Sequence, residues 1–321
     1  LGVWLPVTTL AAMQLRDAGV DFERLPLTGP EFAAALDVHD RLPEPRTHDR
    51  RLVAAGAAVE VRGLSVSKRG SRILDDIRFE VAAGDLLAIV GTNGAGKTTL
   101  LQSLAGVAPP PRGTVSLLGL DPARADVRTL AARIGFVFQN PEHQFIQPTV
   151  AEELAHGLKI QGRSAEEIAE RVDAMLHRFG LDTFADQHPF LLSGGQKRRL
   201  SVGTALIAGA PILALDEPTF GQDRARAGEL LDILAQLRDE GTTVVTVTHD
   251  LQLVADYADR VAVLHDGRLV LEGPASAVLA SAELEAAGLL RPPLARATAL
   301  LRRHPEWRQV SRLADIPGGA S

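Results

Sequence analysis

Short runs of aliphatic residues, each cut off by a turn, dominate the middle of the chain. Leu86 to Val90 is apolar without interruption, Pro211 to Leu215 is apolar throughout, and Thr243 to Val247 carries three valines in five positions. A strand with one wet face alternates, whereas a strand buried on both faces reads as a continuous run of this kind. Ala57 to Val61, Ile77 to Val81 and Ile134 to Phe138 add shorter strands, with Ala83-Gly84-Asp85 as a turn. Val261 to Leu264 and Arg268 to Leu271 flank Asp266-Gly267, a dipeptide suited to a tight hairpin. Apolar residues at three- and four-residue spacing predict helices over Lys97 to about Ala105, Thr149 to about Phe179 and about Arg224 to Arg238. Strands alternating with helices predict an α/β fold built on a mostly parallel sheet covered on both faces. The helices inserted between Ile134 and Pro211 would form a second, α-helical lobe.

The first 54 residues have another texture. Thr8 to Ala18 suits a short helix, and Thr28-Gly29-Pro30-Glu31 reads as a helix start with proline in the first turn. Leu42 to Arg51 (LPEPRTHDRR) is proline-rich and charged, as a linker would be. This divides the chain into an N-terminal extension or linker (1–54), a main domain (55–280) and a C-terminal helical tail (281–321).

Composition narrows the class. With 45% hydrophobic and 23% charged residues, the chain is of ordinary globular make-up, and a net charge of −6 gives no sign of nucleic-acid binding. Cysteine is absent, which excludes disulfides and thiolate chemistry. No apolar stretch reaches the ~20 residues that a membrane helix needs, and no signal-peptide pattern opens the chain. Any membrane role is therefore expected from the water side. The first residue is Leu1 and not Met, which fits a fragment or a processed product.

Chemistry concentrates in four places. Gly91-Thr92-Asn93-Gly94-Ala95-Gly96-Lys97-Thr98 is a complete GxxxxGK[ST] phosphate loop, set between an expected strand and an expected helix. Its glycines at 91, 94 and 96 let backbone N–H groups converge on phosphates, and the helix dipole adds positive potential. Lys97 would bring a point charge to the phosphates, Thr98 a hydroxyl to Mg²⁺, and Asn93 and Thr99 further phosphate contacts. Asp216 and Glu217 close a buried strand, at the sheet edge where ligands gather. Asp216 would hold Mg²⁺, and Glu217 would orient and polarise a water. Leu192-Ser193-Gly194-Gly195-Gln196 is the pentad LSGGQ, and Thr248-His249-Asp250 follows another buried run. The other histidines, including His143, His156 and His188, show no metal-ligand spacing.

All four features, in this order, resemble the ATP-binding cassette (ABC) ATPases, and the resemblance covers residues 57 to about 280. It implies a P-loop NTPase core, an antiparallel β subdomain and an inserted helical subdomain bearing the signature. It implies that ATP and Mg²⁺ are bound and ATP is hydrolysed. In that family two cassettes meet head to tail, so Ser193, Gly194, Gly195 and Gln196 would act on the partner's ATP. His249 would contact the γ-phosphate and link it to Glu217. Gln139 would touch Mg²⁺ or water at one end and sense a membrane partner, and Asp223 would cross the dimer interface. The basic run Lys197-Arg198-Arg199 reads mostly as a solvated helix face. One departure concerns the base: the family stacks an aromatic residue on adenine, and Lys68 stands where that aromatic is expected. A lysine stem can cover the base and its charge approach the ring face, so base stacking is expected to be weak and nucleotide selectivity relaxed.

The stretch after Gln139 (Asn140-Pro141-Glu142-His143-Gln144-Phe145, Pro148-Thr149-Val150, Glu152-Glu153-Leu154-Ala155) is similar to the ATPases of energy-coupling factor (ECF) importers. Pro218-Thr219-Phe220-Gly221-Gln222-Asp223 shares that likeness. It implies uptake of a vitamin or metal ion from the cytoplasmic face of the membrane, as a peripheral subunit. The implied partners are a second cassette, a transmembrane coupling subunit and a substrate-binding membrane subunit. A competing reading is a soluble ABC ATPase acting on ribosomes or nucleic acid. No heptad array separates Lys97 from Ser193, which counts against the coiled-coil members of that class. Leu5 to Ala12 and Pro293 to Leu300 share a proline followed by Thr, Ala and Leu. If this is a repeat, residues 1–50 are the tail of a preceding cassette; a proline opening an Ala/Leu-rich helix is also common.

Overall fold

The three continuous apolar runs are the centre of a six-stranded sheet. A computed structural model describes residues 5–46, 56–221 and 224–318, with 224–226 by backbone alone. The strands are β1 (Ala57–Lys68), β2 (Ser71–Ala82), β3 (Leu86–Gly91), β4 (Val115–Leu117), β5 (Ile134–Val137), β6 (Ile212–Asp216), β7 (Thr243–Val247), β8 (Arg260–His265) and β9 (Arg268–Pro274). The main sheet runs β5-β6-β7-β3-β8-β9, and every pairing is parallel except that of β8 with β9. Every residue of β3, β6 and β7 is buried, as the absence of polar alternation predicts.

Alternate side chains of these strands feed two separate cores. Leu86, Ala88, Val90, Leu213 and Leu215 join one, while Leu87, Ile89, Ala214, Val245 and Val247 join the other. The second core also packs the antiparallel sheet β2-β1-β4 against the phosphate-loop helix Lys97–Leu104. The first packs the helical lobe: Val150–Ile160, Ala165–Arg178 and Gly194–Leu206.

The α/β class, the parallel core, the antiparallel β part and the inserted helical lobe agree with expectation. The expected single helix over 149–179 is instead two. The chain turns at Gly162 (φ +74°), and Ser164 starts the second helix by accepting from the Glu167 N–H.

Both ends of the described chain come together. Helices Val7–Asp17, Gly29–Asp37 and Pro293–Thr298 bury Leu15, Phe32, Leu36, Leu294, Leu301 and Trp307 in a third cluster. Thr28 and Glu31 form a reciprocal capping box at the expected start. Asp37 accepts the N–H groups of Arg302 and Arg303, and the Arg46 N–H donates to Asp315 O at 2.7 Å. The segment after 281 is made of short helices and 3₁₀ turns. Pro6 stands at the N-cap of its helix, whereas Pro293, the proline of the shared texture, is the first helical residue and Pro292 stands at the cap. The linker assigned to Leu42–Arg51 lies outside the described residues from 47 onward.

Candidate functional site

Register places three of the four motifs, and Gln139 with them, along one edge of the sheet. Ile89 pairs with Val247, Val247 with Asp216, and Leu215 with Val137. The carboxyl ends of β3, β7, β6 and β5 therefore stop at one level, and a predicted site residue stands at or just past each of them. This is the edge at which parallel α/β sheets place ligands.

After β3 the chain wraps through Gly91–Gly96 into the helix Lys97–Leu104. Gly91 lies so close to β8 that a Cβ would meet Leu264 O at 2.2 Å. Gly96 has φ +100° and caps the helix without a side chain. The first N–H groups of the helix thus have no side-chain acceptor, which leaves them for an anion. Lys97 Nζ donates to the carbonyls of Gly91 (2.8 Å) and Thr92 (3.1 Å) at the start of the loop. Burial pushes its ammonium below the usual lysine range, while Glu217 and Asp216 act in the opposite sense. A half-desolvated cation beside a ring of N–H groups is a receptor for a polyanion.

Asp216 ends β6 and is 4% exposed. Thr98 Oγ1 donates to Asp216 Oδ1 at 3.2 Å, joining the helix start to the strand end. Burial raises the Asp216 carboxyl pKa, and the Thr98 hydrogen bond only partly offsets it. A buried carboxylate beside a threonine hydroxyl, both hard oxygen donors, fits Mg²⁺, which takes one or two protein oxygens and completes its shell with phosphate and water. Among the described residues no three or more acidic, His or Cys side chains are placed to hold a metal ion together, so no all-protein metal cage competes with that reading. Gln139 stands just beyond β5 and lines the same open cleft of about 610 Å³ with Thr98, Asp216, Gly194 and Arg198.

Glu217 is turned by its backbone. Its φ is +47°, a left-handed conformation that costs a non-glycine residue about 1–2 kcal/mol. The Glu217 N–H donates to Val247 O at 2.9 Å, so the neighbouring strand end fixes the turn. Its Oε2 lies 2.9 Å from His249 Nδ1. His249 is aimed by the residues around it: the Thr248 N–H donates to Ile89 O, and Asp250 caps the next helix through the N–H groups of Gln252 and Leu253. Glu217 and His249, predicted from separate segments, are thus brought into direct contact.

Ser193 caps the helix Gly194–Leu206. Its Oγ accepts from the Gln196 N–H, and Gln196 Oε1 accepts the Ser193 N–H at 2.8 Å. Ser193-x-x-Gln196 is therefore a capping box, a local signal present in the sequence and not read there. Ser193 and Gly194 are exposed to solvent, while the Gln196 side chain is engaged by its own cap. Asp223, expected at a subunit interface, lies outside the described residues.

Two expectations need correction. The run Lys197-Arg198-Arg199 is no solvated face. Lys197 pairs with Glu142, and Arg198 is 3% exposed with its guanidinium turned inward. The reason is that the helix lies against β5 and the segment after it, and the buried side includes position 198. Lys68 also differs from a base-covering stem: its Nζ donates to Thr99 Oγ1 at 3.3 Å, against the start of the phosphate-loop helix. A cation at the positive end of a helix is unfavourable unless an anion joins it.

The ABC transporter family profile matches residues 74–220. A Bacillus subtilis protein provisionally named HMP/thiamine import ATP-binding protein YkoD is 42% identical over 244 residues, 75% of this chain and 44% of its own length. The energy-coupling factor transporter ATP-binding protein EcfA1 of Lacticaseibacillus paracasei is 42% identical over 197 residues, 61% of this chain and 70% of its own length. A solved structure of cbiO1 from Clostridium perfringens, part of the ABC transporter complex cbiONQ, superposes with a TM-score of 0.65 at 32% identity, covering 71% of this chain and 92% of that one. The chain spans about two fifths of YkoD and of three further relatives, with 38%, 42% and 40% of their lengths covered.

Proposed function

The chain belongs to the ATP-binding proteins of ABC transporters, in the branch that includes the energy-coupling factor type, and from that premise we propose that it hydrolyses ATP to drive an importer. The single observation that carries the reading is the convergence at one sheet edge of a free helix N-terminus with Lys97, the Thr98–Asp216 pair, and Glu217 held by His249. Phosphates would sit on the loop N–H groups and Lys97. Mg²⁺, held by Thr98 and Asp216 with Gln139 at the cleft wall, would supply charge neutralisation at the phosphates. Glu217 would orient and polarise the attacking water and take its proton, and His249, on Glu217 Oε2, would keep that carboxylate aimed.

Ser193, at the start of the signature helix, faces solvent with its Oγ engaged only by its own cap, and in this reading the signature serves a nucleotide held by a second cassette. The remaining partners would be a transmembrane coupling subunit and a substrate-binding membrane subunit, met at the cytoplasmic face. No helix among the described residues is long and apolar enough to cross a membrane. YkoD's name gives HMP/thiamine import, which supports import as the direction and a vitamin over a metal ion as the cargo class.

Complementation tests the shared site. A Ser193→Arg chain and a Lys97→Met chain should each be nearly inactive alone. Mixed, they form one intact composite site, and activity should return to about a quarter to a half of wild type. Mixtures no more active than their components would refute signature action in trans.

Lys68 makes a second prediction. With its ammonium at Thr99 and no aromatic stack, ATP and GTP should bind within about threefold of each other, because each good stack contributes ~1–3 kcal/mol. Equilibrium binding of the two nucleotides measures this, and a tenfold or larger ATP preference (about 1.4 kcal/mol) would oppose it.

A further inference from the structure

Arg198 is buried, charged and paired with no carboxylate among the described residues. Its guanidinium instead donates to backbone: Nη1 to Phe138 O at 2.7 Å, Nη2 to Gln139 O at 2.6 Å and, at the 3.5 Å limit, to Glu217 O. Burial pulls its pKa down to about 10, with the Asp216 charge acting in the opposite sense. Burying an ion costs several kcal/mol, and carbonyl partners satisfy its N–H groups without neutralising it. A side chain kept in that state ties together the segments it reaches.

Those segments are unusual. Phe138 and Gln139 form the exit of β5 into the loop that carries Gln139, and Glu217 is the left-handed residue after β6. Arg198 itself lies five positions after Ser193 on the same helix, little more than one helical turn from the signature. One rigid element thus carries a group for the partner's nucleotide at its start and a fork on this chain's own hydrolytic segments one turn later. A shift or rotation of the helix when Ser193 engages would move the carbonyls of Phe138, Gln139 and Glu217 with it.

We propose that Arg198 is a positioning residue: through it, engagement of the signature by the partner's nucleotide sets the placement of Gln139 and Glu217 at this chain's own phosphate loop. The inference rests on the ATPase reading for its consequence, and on the fork of hydrogen bonds for its structure. It gives the two composite sites a direct mechanical link, independent of any contact across the interface other than the signature's own.

The test compares full-length wild type, Arg198→Gln and Arg198→Lys by amide hydrogen exchange and by steady-state ATPase with equilibrium nucleotide binding. A hydrogen bond to a charged donor contributes about 1.5–3 kcal/mol, so Arg198→Gln should raise exchange at 138–142 and 217–221 about tenfold or more, with Val150–Ile160 unchanged. Turnover should fall about tenfold or more while ATP–Mg²⁺ affinity stays within about threefold, a split that simple loss of stability would not produce. Arg198→Lys keeps the cation and part of the fork, so it should fold and lie between the two in both readouts. Unchanged exchange, turnover within about twofold of wild type, or affinity lost in step with turnover would each overturn the proposal. A wild-type protein that exchanges as expected but splits no ATP would refute the ATPase reading and leave the role of Arg198 to the exchange arm alone.

Discussion

Glu217→Gln should bind ATP as tightly as the wild-type chain and turn it over about 10²- to 10⁴-fold more slowly, the range by which a positioned base accelerates proton transfer. The substitution isolates chemistry from structure. Gln has the same length, tolerates the left-handed backbone no worse than Glu, and can still offer an oxygen to His249 Nδ1, now 2.9 Å from Glu217 Oε2. What it loses is the negative charge that draws a proton from water. With hydrolysis blocked, the ATP-loaded state accumulates, and gel filtration should show a larger dimer fraction in ATP–Mg²⁺ than in ADP–Mg²⁺. Phosphate release within about threefold of wild type would remove Glu217 from its role.

Lys97→Met separates binding from stability in the opposite way. Without nucleotide, the buried ammonium is a cost to the fold: its lowered pKa means the charged form is disfavoured in the native state, a cost present while the lysine is protonated and lost as pH rises through its folded pKa. Methionine keeps the aliphatic stem and removes the charge, so the nucleotide-free variant should melt at the wild-type temperature or higher. Nucleotide affinity should fall about 100-fold or more, consistent with the loss of a charge-assisted contact inside a desolvated site. The check is thermal denaturation with and without ATP–Mg²⁺, in which the ligand-induced rise seen for wild type should vanish. A variant destabilised without ligand, or still shifted by ATP, would contradict this role for Lys97.

The parallel core was legible because β3, β6 and β7 are buried on both faces, and burial of that kind leaves few polar residues, Thr243 and Thr246 of β7 among them, to blur the pattern. The phosphate loop and the Asp216–Glu217 pair were legible for a related reason: they sit at strand ends, where the sequence changes abruptly from apolar to functional. Less could be read where tertiary contact overrides local pattern. The break near Gly162 was masked by helix-forming residues on both sides, although Ser164 followed by Glu167 is a helix-start signal. Arg198 was misjudged because charge in a helix predicts solvent, and only the approach of the Gln139 and Glu217 segments supplies the carbonyls that let it turn inward. The meeting of the chain's two ends was likewise not readable, since neither Leu15 nor Trp307 announces its partner across nearly three hundred residues.

That union of ends changes how the protein should come apart. With Phe32 and Leu36 seated beside Leu294 and Trp307, everything between them is in effect a closed ring fastened by a hydrophobic clasp. A ring gains less disorder on opening than a free strand of equal size does. While the clasp holds, the nucleotide-handling body is therefore harder to melt, and when it releases, both parts are freed at once.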